Sequence, residues 1–167
     1  MAALPVAALL GLVVLFAGYS LHRGAKVIPA ALVGKPAPSL TLPRLADGTA
    51  TPIRALLRGP TLVNFYASWC APCVQESPAL MALKAEGVRI VGVAYEDKPE
   101  ATAAFLQRFG DPYAEILLDP EGRAGVEFGT TGVPETYAVD SAGVIRAKVA
   151  LPITAAQAED LLSKAGR

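Results

Sequence analysis

The sequence predicts an α/β domain, a mixed β-sheet flanked by helices on both faces, preceded by one N-terminal transmembrane helix. Three observations predict it. Residues 2–21 carry no charged side chain and are mostly Ala, Leu, Val and Phe. Beyond them, apolar runs of strand length alternate with segments of helical character, which requires a parallel portion of sheet. Near the end, two strand-like runs are separated only by Asp140-Ser141-Ala142-Gly143, which marks an antiparallel hairpin.

The N-terminal run comes first. As a helix, twenty residues rise about 30 Å, the thickness of a bilayer's hydrocarbon core. A cleaved signal peptide is the alternative, but it wants a positive region before the run and a small-residue cleavage site after it. Only the α-amino group precedes this run, and Ser20-Leu21-His22-Arg23 offers no clean site. Residues 1–21 are therefore read as an uncleaved anchor. Arg23 and Lys26 would favour a cytoplasmic flank, but two charges are a weak bias and long domains translocate largely regardless of charge. Residues 22–33, with Pro29 and little periodicity, read as a linker, and a single domain is expected over 34–167.

Within the domain, Leu40-Thr41-Leu42-Pro43 is a short extended piece, and Ala46-Asp47-Gly48-Thr49 a turn. Thr61 to Ala67 is a mostly apolar run suited to a strand buried on both faces. A helix follows from about Ala71 to Glu86, with Gly87 as its stop and Pro78 as a kink, because proline there removes an intrahelical hydrogen bond. Val88 to Ala94 is a second buried strand. Pro99 to Phe109 reads as a helix with Ala101, Ala104, Phe105 and Arg108-Phe109 on its period, ended by Gly110. Ile116 to Leu118 is a short strand, then a turn at Pro120-Glu121-Gly122 and a brief helix over Arg123 to Phe128. Glu135 to Val139 and Val144 to Val149 form the hairpin. Thr154 and Gln157 make a capping box for a last helix that buries Ala158, Leu161, Leu162 and Ala165. Phe105, Phe109 and Phe128 are expected in the core.

The 15 basic and 15 acidic side chains cancel, and no basic run appears, so nothing suggests nucleic acid. The single histidine, His22, makes a zinc site implausible, since such sites need three or four protein ligands. Two cysteines cannot build a framework of several bridges. Cys70 and Cys73 form one local pair, which reads as redox or metal-carrying chemistry. Their place between a buried strand and a helix favours redox. A helix N-terminus offers unpaired N–H groups and a positive dipole end, which stabilise a Cys70 thiolate, and thiolate is the nucleophile of thiol–disulfide exchange. Cys73 can then resolve the mixed disulfide. Pro72 is tolerated because first-turn positions need no N–H bond.

Asn64-Phe65-Tyr66-Ala67-Ser68-Trp69-Cys70-Ala71-Pro72-Cys73 resembles the active-site segment of the thioredoxin superfamily. Pro78 resembles its helix-kinking proline, and Gly132-Val133-Pro134-Glu135-Thr136 its cis-proline loop. More narrowly, the chain from about residue 34 to 150 resembles the DsbE/CcmG proteins of cytochrome c maturation, through Gly34-Lys35-Pro36-Ala37-Pro38, the segment Gly87 to Asp97 and Gly132 to Thr136. The resemblance implies a cis Val133–Pro134 bond, with Val133 and Pro134 presenting backbone to an extended substrate by β-augmentation. Trp69 either flanks the dithiol and shapes a docking face, as a large aromatic at an interface can, or is packed aromatic mass. Asn64 stands where cytoplasmic thioredoxins have an aspartate; the DsbE/CcmG group is also neutral there, though a polar residue satisfied at a strand end is the alternative. Glu76, Asp97 and Glu135 match acidic positions placed around the dithiol. Like-charge repulsion from them would raise the free energy of the Cys70 thiolate and make the couple more reducing, unless they are ordinary surface acids.

The implied function is a thiol:disulfide oxidoreductase that reduces apocytochrome c, or the thiol protein handling it, outside the cytoplasmic membrane. Its electrons would come from a membrane donor of the DsbD/CcdA type. No cofactor is needed, since the Cys70–Cys73 disulfide is itself the redox group. A general periplasmic reductase of the TlpA or ResA kind is a second enzyme reading. A peroxidase is disfavoured because no Pro-x-x-x-Thr/Ser-x-x-Cys pattern surrounds Cys70. A Cu(I)-carrying dithiol module and a non-catalytic docking subunit are alternatives of other classes; soft thiolates suit Cu(I), but no methionine or histidine lies beside the pair.

Overall fold

The computed structural model describes residues 32–167. The anchor expected at 1–21 and nearly all of the linker lie outside the described residues. Among the described residues no helix is long and apolar enough to cross a membrane.

The elements are β1 (Thr41–Pro43), β2 (Ala50–Pro52), α1 (Ile53–Leu56), β3 (Thr61–Tyr66), α2 (Ala71–Ala85), β4 (Arg89–Tyr95), α3 (Pro99–Phe109), β5 (Glu115–Asp119), α4 (Arg123–Phe128), β6 (Glu135–Val139), β7 (Ile145–Val149) and α5 (Ala155–Lys164). A five-stranded sheet has the order β5-β4-β3-β6-β7. β3, β4 and β5 run parallel, whereas β6 and β7 are antiparallel to their neighbours, giving the mixed sheet expected. β1 and β2 pair separately as a small hairpin.

All six residues of β3 are buried, as a central strand covered on both faces requires. Its alternation assigns the two cores. Leu62 and Tyr66 join Leu80 and Leu83 of α2, Phe105 and Leu106 of α3, and Ala158, Leu161 and Leu162 of α5. Val63 and Phe65 join Ile53 and Leu56 of α1 and Ala124 and Phe128 of α4 on the opposite face. Burial of this many aliphatic and aromatic side chains, each contributing about 1.5–3 kcal/mol, is what offsets the chain's lost entropy.

The capping box of α5 forms as its sequence indicates: the Thr154 hydroxyl accepts from the Gln157 N–H, and the Gln157 side chain accepts from the Thr154 N–H. Two local expectations differ. In α3 the inward stripe is Thr102, Phe105 and Leu106; Ala104 is exposed and Phe109 only half-buried. The short α1, which inserts Ile53 and Leu56 beneath the sheet, was not expected, because four residues without a side-chain cap carry no periodic signal. One close approach shapes the site below. The Tyr113 ring lies against Gly92 of β4, where a Cβ would sit 2.9 Å from it.

Candidate active site

Cys70 closes the turn after β3 and is the N-cap of α2, with Pro72 in the first turn. Its sulfur accepts from the Cys73 N–H at 3.1 Å, occupying the place a capping oxygen would take. The same N–H and the helix dipole favour negative charge on that sulfur once the bond to Cys73 is opened. In this structure Cys70 and Cys73 are joined as a disulfide with a Cα–Cα separation of 5.3 Å, and both are almost entirely buried. Metal binding would require both as thiolates, and among the described residues no group of three or more His, Cys, Asp or Glu is placed to hold an ion.

Beneath the dithiol lies a buried polar network. One turn beyond Cys73, Glu76 points inward and is 1% exposed. Its Oε1 accepts from Asn64 Nδ2 at 2.9 Å and its Oε2 from the Ile153 N–H at 3.1 Å. Asn64 also donates to Thr136 Oγ1 at 3.0 Å and accepts from the Tyr113 hydroxyl at 2.7 Å. Every polar atom of the amide therefore has a partner, as a buried amide requires. Burial pushes the Glu76 carboxyl up to about 7, against the opposing pull of the Asn64 and Ile153 hydrogen bonds. Burial likewise pushes the Tyr113 phenol well above its ordinary value, so it stays a donor to Asn64. The buried carboxylate thus comes from the helix, and the strand position holds a neutral amide that supports it.

The Val133–Pro134 peptide bond is cis. The Val133 carbonyl oxygen lies 3.5 Å from Cys70 Sγ, so this loop borders the dithiol. Beside it is an open groove of about 190 Å³, lined by Pro72, by Thr131 to Glu135, and by Ala150, Leu151 and Pro152. Glu135 itself is almost fully buried and faces away from the Asn64–Glu76 network: along β6, Thr136 turns towards Asn64 while Glu135 and Tyr137 turn to the other side of the sheet. There its carboxylate pairs with Lys148 Nζ at 2.7 Å and accepts from the Tyr137 hydroxyl at 2.8 Å.

Asp97 is buried as well. It accepts from the Ser68 N–H (2.6 Å), Ser68 Oγ (2.8 Å), the Lys98 N–H (2.8 Å) and Thr102 Oγ1 (3.2 Å), tying the turn before the dithiol to the start of α3. Trp69 is 60% exposed, and its indole N–H donates to the Glu96 carbonyl at 3.2 Å. That carbonyl is presented by the one non-glycine residue with positive φ among the described residues, Glu96 at 47°. Three acids expected around the dithiol are thus all buried, and only Glu76 belongs to the network under it. Tyr113, Thr136, Ile153 and Lys148 escaped the sequence reading, because their roles depend on contacts across strands that no local pattern encodes.

Comparison with known proteins agrees with this architecture. The AhpC/TSA family pattern matches residues 33–148. The thiol:disulfide interchange protein DsbE of Allochromatium vinosum is 45% identical over 139 residues, covering 82% of this chain and 77% of that one. HelX of Rhodobacter capsulatus, also a thiol:disulfide interchange protein, is 42% identical over 138 residues, covering 82% and 76%. Among solved structures, a DsbF homologue from Corynebacterium diphtheriae superposes with a TM-score of 0.68 at 20% identity, over 77% of this chain and 85% of that one, which supports the fold. By these matches the chain belongs to the AhpC/TSA family and, within it, to the DsbE/HelX group of thiol:disulfide interchange proteins.

Proposed function

We propose that this protein is a thiol:disulfide oxidoreductase that reduces disulfides of apocytochrome c, or of the thiol protein handling it, during cytochrome c maturation. The observation that carries the reading is the junction of three features: a Cys70–Cys73 pair able to bridge, Cys70 at a helix N-terminus, and the Val133–Pro134 loop 3.5 Å from its sulfur. In the reduced protein the Cys70 thiolate attacks one sulfur of a substrate disulfide. That S–S bond breaks, a mixed disulfide forms, and the departing sulfur takes up a proton. Cys73, deprotonated, then attacks Cys70 sulfur, releasing the substrate as a dithiol and leaving the Cys70–Cys73 bond. The electrons must be replaced by an external dithiol, for which a membrane carrier of the DsbD/CcdA type fits the family. The dithiol is the redox group, and no step calls for a further cofactor.

Trp69, Val133 and Pro134 are the substrate-binding residues of this reading. The exposed indole and the apolar groove flank the dithiol, and an extended segment can lie along the main chain at Val133. Residues 1–21 serve as a single-pass inner-membrane anchor, residues 22–33 as a tether, and 34–167 as the periplasmic catalytic domain; the apolar length of the run supports this.

A Cys73→Ser variant lacks the resolving thiol and is expected to accumulate a mixed disulfide through Cys70 with an oxidised Cys-x-x-Cys-His peptide, seen by mass spectrometry. The wild type is expected to reduce that peptide faster than unrelated disulfides. Equal rates on both would favour a general TlpA- or ResA-like reductase. Stoichiometric Cu(I) binding with no reduction of either would replace the redox reading by metal carriage.

A further inference from the structure

The loop that meets Cys70 is held from behind. Glu135 Oε1 accepts from the Thr131 N–H at 3.0 Å and from Thr131 Oγ1 at 2.5 Å, which closes the chain from Thr131 to Glu135 into a tight arc with Val133 and Pro134 at its crest. The other oxygen, Oε2, is fixed by Lys148 Nζ at 2.7 Å and the Tyr137 hydroxyl at 2.8 Å. Lys148 also donates to the Gly129 carbonyl at 3.0 Å, so one ammonium ties the carboxylate to the stretch entering the loop. Its side chain is only 11% exposed and lies over the Tyr137 ring, with the nitrogen 5.2 Å from the centroid. Both acid oxygens are thus committed to shaping the loop, and the carboxylate's charge is matched by a neighbouring cation.

We propose that Glu135 and Lys148 act as positioning residues: a buried carboxylate–ammonium clamp that holds the Thr131–Pro134 arc, and with it the Val133 carbonyl, at the height where an extended substrate docks beside Cys70. The inference rests on the oxidoreductase reading and deepens it. It departs from a tuning role for Glu135, because a charge neutralised at 2.7 Å on the opposite side of the sheet repels a thiolate weakly. A partner lost from a buried charged pair leaves the other uncompensated, so either substitution should slacken the arc. What suffers is the ordering of the docking edge. Substrates too small to lie along Val133 are indifferent to it.

The test compares the full chain with its Glu135→Gln and Lys148→Met variants, using an oxidised Cys-x-x-Cys-His peptide of about a dozen residues and hydroxyethyl disulfide as a small substrate. Both variants are expected to raise KM for the peptide about tenfold, the worth of one or two good hydrogen bonds, and the charge-neutral double variant Glu135→Gln/Lys148→Met to do the same with the small-disulfide rate and the Cys70 pKa unchanged. Should either variant fold poorly, Thr131→Val removes one hydroxyl from an exposed position and leaves the ion pair intact; its peptide KM is expected to rise about threefold. Amide exchange at Thr131 is expected to quicken in all three single variants. The clamp is overturned if the two charge variants move the Cys70 pKa in opposite directions and change both substrates in parallel, as tuning by charge requires. It is also overturned if the KM for the peptide stays put. A wild-type protein that reduces neither disulfide would instead remove the oxidoreductase reading itself.

Discussion

Glu76 is the residue whose chemistry is most exposed to experiment. Its carboxyl sits at about 7 in the folded protein against an ordinary 4.5, because burial disfavours the charged form more than Asn64 and Ile153 favour it. The folded state therefore holds this proton more tightly than the unfolded chain between those two values. Its stabilising effect is complete below about 4.5 and is lost as pH rises through 7, a change on the order of 3 kcal/mol. Urea denaturation of Glu76→Gln should lack that downward slope; a slope equal to the wild type's would show that the carboxyl titrates normally. Above pH 7 the ionised carboxylate lies one turn from the dithiol, so the same variant should lower the Cys70 pKa by up to about one unit and make the couple more oxidising. Identical pKa and potential in the two proteins would dismiss the electrostatic role.

Among the elements, the turn joining β3 to α2 depends on Asp97, which arrives from the end of β4 and accepts four hydrogen bonds. Asp97→Ala strips partners from the Ser68 N–H and the Thr102 hydroxyl at once. It should destabilise the protein by about 2–4 kcal/mol and quicken exchange of the Ser68 amide, whereas a loss below the error of the melt would mean water substitutes fully. α3 and α5 were legible because Pro99, Gly110, Thr154 and Gln157 are punctuation that acts locally. Asp97 was legible as an acid near the site, yet its two hydrogen bonds to Ser68, 29 positions earlier, were not. The ion pair of Glu135 with Lys148 depends on how β6 and β7 align, and that alignment includes a shift between Ala138 and Val139. No side-chain pattern announces such a shift.

At the scale of the whole molecule, the dithiol and the Val133–Pro134 loop beside it were readable because both are short contiguous motifs. The buried network was not, since Asn64, Glu76, Tyr113, Thr136 and Ile153 come from five separate stretches of chain that only the folded sheet assembles. The N-terminal apolar run makes a prediction of its own. The full chain should float with liposomes on a sucrose gradient, and a chain starting at residue 32 should stay in the soluble fraction with its disulfide activity retained. Equal flotation of both would place membrane affinity elsewhere.

The stretch from Gly34 to Leu45 touches the sheet at two distant places. Pro36 bridges to Val144 beside β7, and Arg44 bridges to Leu117 on β5. The Gly34 N–H bonds to the Ile145 carbonyl and the Leu45 N–H to that of Ile116. One ribbon of chain thus serves as a hem along both outermost strands. Bare strand margins invite a neighbouring copy to zip on. For the function proposed above, which brings an extended polypeptide to the dithiol, having those margins partly sewn shut means that the strand-like guest is met beside the sulfur rather than at the rim.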